Sequence, residues 1–362
     1  MDRSVWLKPG ESCQAPHPPT KVVQAILTDH YGIGFSQMNK LDGYDDYNCH
    51  IKGCSIVGVN PFLDEICPHG YIFKLTNLKE ASIPSLIDGQ CSLLEHIERK
   101  TDNIPCPKLQ KSISGKCWVL ASFSINDCDN NIKEYKLPCR LFQYIPGTVL
   151  EKVPLSPQLL FDLGNMVGRF RTATADFSAP IYEKYRTMWS FCEAPYSKAF
   201  VGHLPSEEKK RLVTRQIHGD INESNVLVSI KSDKTAEICG ILDFCDSHRS
   251  FYFLEIALVI CYMTLMDDVN VAELERGGHL LAGYLRHHRL SPEEFQLLHL
   301  AICGRLAQSL TLGWYTYQQN PGPENDYVLK TSKRGWDLLN KLWTLDAEQL
   351  YTVWRSVIAQ YN

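Results

Sequence analysis

Within the run His218-Gly219-Asp220-Ile221-Asn222-Glu223-Ser224-Asn225, an Asp stands five residues ahead of an Asn, and a strand-like stretch closing on Asp243-Phe244 follows shortly after. Few folds have a use for that order. A loop carrying an acid and an amide, then a strand ending in a second acid, is the arrangement that phosphoryl transfer needs. The first Asp orients an acceptor hydroxyl and takes its proton, while the Asn and the later Asp hold the magnesium of a nucleotide. Carboxylate and amide oxygens are the hard donors that Mg²⁺ prefers. At this composition His-Gly-Asp-x4-Asn arises by chance in about one chain in 500 of this length, and the spaced Asp243-Phe244 argues further against a mere polar turn.

The rest of the chain supplies a frame for such a loop. Residues 1–20 carry four prolines and no periodicity, and read as a flexible tail. Val22 to His30 suits a helix. Cys49–Val59 and Tyr71–Leu75 are short β-type runs, and Ile87, Cys91, Leu94 and Ile97 repeat with a helical period inside Ile83–Lys100. Two further strands are expected at Cys117–Phe123 and Cys139–Tyr144. Pro146-Gly147 then breaks the pattern, so that residues 21–145 form one lobe and 146–362 another. Beyond the break the chain is mainly helical, with a clear helix at Ser156–Ala175 and one hairpin, Val226–Ile230 and Ala236–Asp243, around the turn Lys231–Lys234. At 362 residues two lobes are expected in any case, since one hydrophobic core seldom serves so long a chain. The class is α+β: a small sheet lobe, a hinge and a larger helical lobe, as in the protein-kinase-like fold.

Composition excludes more than it identifies. A net charge of −4 gives no support to nucleic acid or an anionic membrane as the main partner. The most apolar run, Phe251–Met266, is too short and too interrupted by Glu255 for a membrane span and reads as a core helix. Fourteen cysteines without a CxxC pair, behind an N-terminus with no apolar signal core, read as free thiols in a reducing, cytoplasmic setting and not as a zinc site. His287-His288 has no third ligand in sight and reads as a solvated helix end.

Lys74 sits in the middle of the apolar strand Tyr71–Leu75, where a lysine is costly unless paired. Such a lysine contacts the nucleotide phosphates and pairs with a carboxylate of the next helix. Asp88 and Glu95 are i, i+7 on that helix, share a face, and spacing does not choose between them. A phosphate-covering loop would lie in Asp42-Gly43-Tyr44-Asp45-Asp46-Tyr47-Asn48, which has one glycine and no GxGxxG. After Asp243, only about a dozen residues precede the core helix and no Ala-Pro-Glu follows, so there is no room for a regulated activation segment. Small-molecule phosphorylation is preferred over protein phosphorylation.

These motifs resemble the aminoglycoside phosphotransferase-like superfamily of small-molecule kinases. Within it, Tyr44-Asp45-Asp46-x-Asn48, His218 to Ser229, Gly240 to Phe244, Glu255-x-Ala257 with Tyr262-Met263, Arg305 to Leu310, Asp326-Tyr327 and Gly335-Trp336 resemble the hydroxylysine kinase family. The resemblance runs from about residue 40 to 345. It implies phosphoryl transfer from GTP (or ATP), with Mg²⁺, to the side-chain hydroxyl of 5-hydroxy-L-lysine. Asp220 would be the base, Asn225 and Asp243 the metal ligands, and Lys74 the phosphate contact, with Asp88, Tyr44 and Asn48 on the nucleotide side. The helix acid departs from the family's Glu, because Asp88 is a methylene shorter. An acceptor with two ammonium groups and a carboxylate calls for acids and an arginine. The candidates nearest the chemistry are Glu223, Asp246 and Arg305. Choline, ethanolamine, homoserine or an aminoglycoside are alternative acceptors. A nucleotide-binding pseudokinase is the rival outside the class, against which the intact Asp220, Asn225 and Asp243 speak.

Overall fold

Val23, Ile26, Leu27 and Tyr31 recur on one face of helix α1 (Thr20–Tyr31), and that stripe is what the first core is built on. The computed structural model describes residues 14–361 except 101–103, 127–131, 186, 188, 191–213, 320, 323–325 and 328. After the two-residue strand β1 (Ile33–Gly34), which pairs with β4 (Ser55–Ile56), an antiparallel sheet receives the α1 stripe. Its order is β2 (Gln37–Leu41), β3 (Tyr47–Lys52), β5 (Tyr71–Leu75), β7 (Ile132–Gln143), β6 (Val119–Asn126). Side chains alternate across a strand. Tyr71, Phe73 and Leu75 therefore join the α1 core, while Ile72 packs against the larger core of the helical lobe and Lys74 shares its face. Register places Lys74 between Asn48 on β3 and Arg140 on β7.

Of the expected tail, residues 1–13 lie outside the described ones, and the remainder is not a tail. Ala15 is buried, its N–H donates to the Asp45 carbonyl at 2.7 Å, and the His17 ring lies 5.3 Å from that of Tyr47. Strand β7 also starts well before the expected Cys139, because Ile132–Lys136 pairs with the outer half of β6 as an exposed two-stranded ribbon whose charged side chains face solvent.

Helix α2 (Pro84–Glu98) sends Leu93, Leu94 and Ile97 into the core of the second lobe. The chain crosses over between Gln143 and β8 (Thr148–Val149), which pairs with β10 (Val226–Ile230). β10 forms the expected hairpin with β11 (Ala236–Ile241). Helix α3 (Pro157–Ala173) begins at Ser156, whose side chain caps the Leu159 N–H. The short α4 (Ile181–Lys184) and the pair β9 (Thr214–Ile217) and β12 (His248–Phe251) lead to α5 (Tyr252–Leu265). All residues of α5 are buried, as expected of a helix apolar all round, and no helix among the described residues is long and apolar enough to cross a membrane. Helices α6 (Arg276–Tyr284) and α7 (Pro292–Gln319) pack against it, α8 (Ser332–Thr344) lies chiefly on α7, and α9 (Ala347–Ala359) lies on α6. The crossing of α3 and α6 depends on glycine: a Cβ on Gly164 would stand 1.9 Å from the Leu280 carbonyl oxygen. His287 is exposed just past the end of α6, as expected of a solvated helix end, and bonds Asn165, whereas the half-buried His288 braces this crossing. The His288 ring lies 3.0 Å from both the Gly168 carbonyl and the Thr172 hydroxyl.

Candidate active site

Two backbone anchors shape the loop after β9. The Glu255 carboxylate, buried in α5, accepts the N–H groups of His218 at 2.5 Å and Gly219 at 3.1 Å. His218 Nδ1 accepts the Asp220 N–H at 3.2 Å, which leaves Nε2 to donate to the Leu242 carbonyl at 3.0 Å. The imidazole is thus the neutral form, in keeping with burial that lowers its pKa to about 4. Burial pushes the Glu255 carboxyl up to about 7, against the pull of its two N–H donors. Gly219 has φ +82°, and a Cβ there would stand 2.6 Å from the Asp246 carbonyl oxygen, so no other residue fits this turn.

The hairpin then brings the two ends of the motif together. The Leu242 N–H donates to the Asn225 carbonyl at 2.8 Å, which sets Asn225 beside the strand exit that carries Asp243. Asn225 Nδ2 donates to the Asp220 carbonyl and to Asp220 Oδ2, both at 2.9 Å, and its Oδ1 is left as an acceptor. Asp243 has φ +57°, a left-handed conformation that few residues other than glycine, Asn and Asp adopt. Its Oδ1 accepts from Lys74 Nζ at 2.9 Å. Burial raises the Asp243 carboxyl, but Lys74 outweighs it and holds the group below the ordinary carboxylate range.

Asp220 sits between fixed donors. Asn222 Nδ2 reaches Oδ2 at 3.0 Å and Arg305 Nη2 reaches Oδ1 at 3.1 Å. Burial pushes its carboxyl up, Arg305 pulls it down, and the nearby Asp246 and Asp243 push it further up. Asp246 accepts the Thr187 hydroxyl at 3.0 Å, and burial followed by Asp243 raises its carboxyl to about 6.

The nucleotide-side expectations need correction. Lys74 pairs with Asp46 at 3.0 Å and with Asp243, not with Asp88 or Glu95. Asp88 is exposed and accepts the Trp118 indole N–H at 2.7 Å, while Glu95 meets Lys111 and the Cys117 thiol, each at 3.2 Å. The reason is the rotation of α2. Its cleft-facing residue is Gln90, whose Oε1 accepts from Arg140 at 2.7 Å and whose Nε2 donates to the Cys245 carbonyl at 3.1 Å. Tyr44 turns to the helical lobe: its hydroxyl bonds Thr316 and the Leu312 carbonyl, and its ring meets Trp189 edge-on at 5.5 Å. Asn48 keeps its place beside Lys74.

On the acceptor side, Asp246 and Arg305 lie next to Asp220, but Glu223 does not join them. Its carboxyl is raised by burial and by Glu151 and lowered by Lys330, all on the hinge side of the loop. Arg305, expected to face a substrate carboxylate, is occupied within the protein by Asp220, Tyr262, Trp189 and Gln308. Sequence reasoning gave no role to Asp46, Gln90, Arg140 or Glu255, although Asp46 and Glu255 stood in the motifs that carry the resemblance. For Arg140 and Glu255 the signal was present, a charge inside an apolar run, as it was for Lys74.

Among the described residues, no three His, Cys, Asp or Glu side chains gather into a cation cage. A site of one carboxylate and one amide oxygen still suits Mg²⁺, which is usually held by one or two carboxylates together with nucleotide phosphates and water.

The profile of the phosphotransferase enzyme family matches residues 103–298. The chain is 25% identical to the hydroxylysine kinase of Mus musculus and 26% identical to that of Bos taurus, with 93% of each chain covered in both comparisons. An amicoumacin kinase in complex with AMP-PNP, Ca²⁺ and Ami superposes with a TM-score of 0.61 at 16% identity, over 91% of this chain and 97% of that one. A microcompartment-associated aminopropanol kinase does so with a TM-score of 0.57 at 13% identity, over 90% and 98%. With the motif residues of the catalytic loop and hairpin assembled in one cleft, the chain belongs to the phosphotransferase enzyme family, as a kinase that acts on an alcohol group of a small molecule.

Proposed function

We propose that the chain transfers the terminal phosphoryl group of GTP or ATP to the side-chain hydroxyl of 5-hydroxy-L-lysine. The observation that carries this reading is the pair of facing groups in one cleft: Asp220 held by Asn222, Asn225 and Arg305, and Asp243 bound to Lys74. Asp220 orients the acceptor hydroxyl and takes its proton as the oxygen attacks the terminal phosphorus and the bond to the leaving nucleoside diphosphate breaks. Asn225 and Asp243 would hold Mg²⁺, which neutralises charge on the phosphates and the leaving group when bound. Lys74, flanked by Asn48, contacts the phosphates. Asp246 stands beside Asp220 to receive an ammonium group. Glu80, whose carboxyl is raised by burial and then by Asp46, Asp45 and Asp246, adds acid to the same side. Carboxyls crowded in this way suit a cationic acceptor, which would draw them back into their charged forms. The names carried by the mouse and cattle relatives support hydroxylysine as that acceptor.

Steady-state kinetics with hydroxylysine, choline, ethanolamine and homoserine, each with MgGTP and MgATP, test the reading. Hydroxylysine should give the highest kcat/KM, and lysine, which lacks only the nucleophile, should inhibit competitively. Nucleotide consumption with choline but none with millimolar hydroxylysine would remove the acceptor assignment and leave the kinase standing.

A further inference from the structure

Arg305 is 1% exposed in α7. Its guanidinium carbon lies 5.1 Å from the ring centre of Trp189 and 5.6 Å from that of Tyr262. Nε donates to the Tyr262 hydroxyl at 3.1 Å, Nη1 to the Trp189 carbonyl at 3.1 Å and to Gln308 Oε1 at 3.2 Å, and Nη2 to Asp220 Oδ1 at 3.1 Å. A guanidinium has five N–H groups. Four are committed to acceptors from α5, α7, the segment at Trp189 and the catalytic loop. An arginine that receives a substrate carboxylate offers two parallel N–H groups, and this one has no such pair to offer.

Asp220 shows what the arrangement is for. The terminal torsion of an Asp side chain is broad, so a carboxylate bonded through one oxygen only can swing. Asn222 and Asn225 both reach Oδ2, and among the described residues Arg305 is the side chain that holds Oδ1. Tyr262, Trp189 and Gln308 in turn hold the guanidinium in place. We propose that Arg305 is a positioning residue, which fixes the plane of the Asp220 carboxylate for the acceptor hydroxyl and does not bind the substrate's carboxylate. The inference rests on Asp220 as the base.

The test compares wild type, Arg305→Lys, Arg305→Met and Tyr262→Phe on hydroxylysine and on its decarboxylated counterpart, which keeps the hydroxyl and both amines. Arg305→Lys should lower kcat by about 10²-fold on both acceptors alike, the loss expected when a reacting group is misplaced by about 1 Å. The KM for nucleotide should stay near the wild-type value. Tyr262→Phe, which removes the Nε acceptor together with a bond to Ser309, should lower kcat in the same direction by a smaller factor. It decides the matter together with Arg305→Lys should Arg305→Met fail to fold. A rise in KM confined to the carboxylate-bearing acceptor, with kcat retained, would overturn the proposal and return Arg305 to substrate binding. So would unchanged kcat in both Arg305→Lys and Tyr262→Phe. If wild type used neither acceptor, the acceptor assignment would fall alone, and the same kcat-against-KM comparison on whichever alcohol it does phosphorylate would judge Arg305. A wild-type chain that phosphorylates no alcohol overturns both.

Discussion

Lys74 and Arg305 are both buried cations, each bonded to an acid of the cleft, yet their surroundings differ. The Lys74 side chain is 8% exposed and its partner Asp243 is 44% exposed, so that this acid faces the cleft and is open to other ligands. Lys74 also keeps a second acid, Asp46, at 3.0 Å. Arg305 is 1% exposed and Asp220 20%, and neutral groups occupy the rest of the guanidinium. On the proposed reading, the phosphate side therefore holds its charges in an exchangeable form, as a group must that will meet a polyanion and a cation, and the acceptor side holds its base in a fixed one. Charge would then be available where ligands change and geometry locked where a proton moves.

The sharpest way to break this comparison is at the base. Asp220→Asn retains size but cannot accept a proton, so turnover should fall by about 10²- to 10⁴-fold while nucleotide affinity changes little. Near-wild-type turnover would mean that the locked side is not where the chemistry happens. On the exchangeable side, Lys74→Ala should raise the KM for nucleotide by about tenfold or more, since truncating one partner of a buried charge pair strands the other. Asp88→Ala should leave kinetics unchanged, because that acid bonds an indole on the outer face of α2. If the two variants behaved alike, the pairing of Lys74 with Asp46 and Asp243 would have to be redrawn.

The last expectation concerns stability and the support beneath the loop. Glu255 has a folded pKa near 7 against an ordinary 4.5, so its contribution to stability is fully present below about 4.5 and is lost as pH rises through about 7. His218, lowered to about 4, acts in the opposite sense, its contribution being lost as pH falls from about 6.5 through 4. Subtracting the stability of Glu255→Gln from that of wild type isolates the first term. The difference should shrink between pH 5 and 8, by up to about 3 kcal/mol. A difference flat across that range, measured by denaturant unfolding, would show that the Glu255 carboxyl titrates as an ordinary one.

Much of the site could be read before any coordinates, for reasons that the structure makes plain. The loop, the hairpin and the strand lysine are local features, and a charge in an apolar strand announces a partner even when it does not name it. What stayed hidden depended on tertiary choices. Asp46 meets Lys74 because Asn48 and Lys74 are in register across β3 and β5, and register is not written in either strand alone. Gln90 faces the cleft instead of Asp88 because packing of Leu93, Leu94 and Ile97 sets the rotation of α2, and an i, i+7 pair reports only a shared face. The acid that breaks the apolar run of α5 was visible as an oddity, but its partners are backbone N–H groups 36 and 37 residues upstream. The early start of β7 was hidden by its charges, which are tolerated because that ribbon faces solvent.

The Gln90 bridge has a consequence of its own. An amide between the Arg140 guanidinium and the Cys245 carbonyl ties α2 to the loop that follows Asp243. A carboxylate in that place would be a control point, open to protonation or to a competing cation that could pull the helix away. An amide has no proton to gain or lose in the physiological range and no net charge to be competed for. At this bridge the docking of α2 is therefore the same on either side of neutral pH, and the cleft wall it forms keeps its place while the acids around it gain or lose protons.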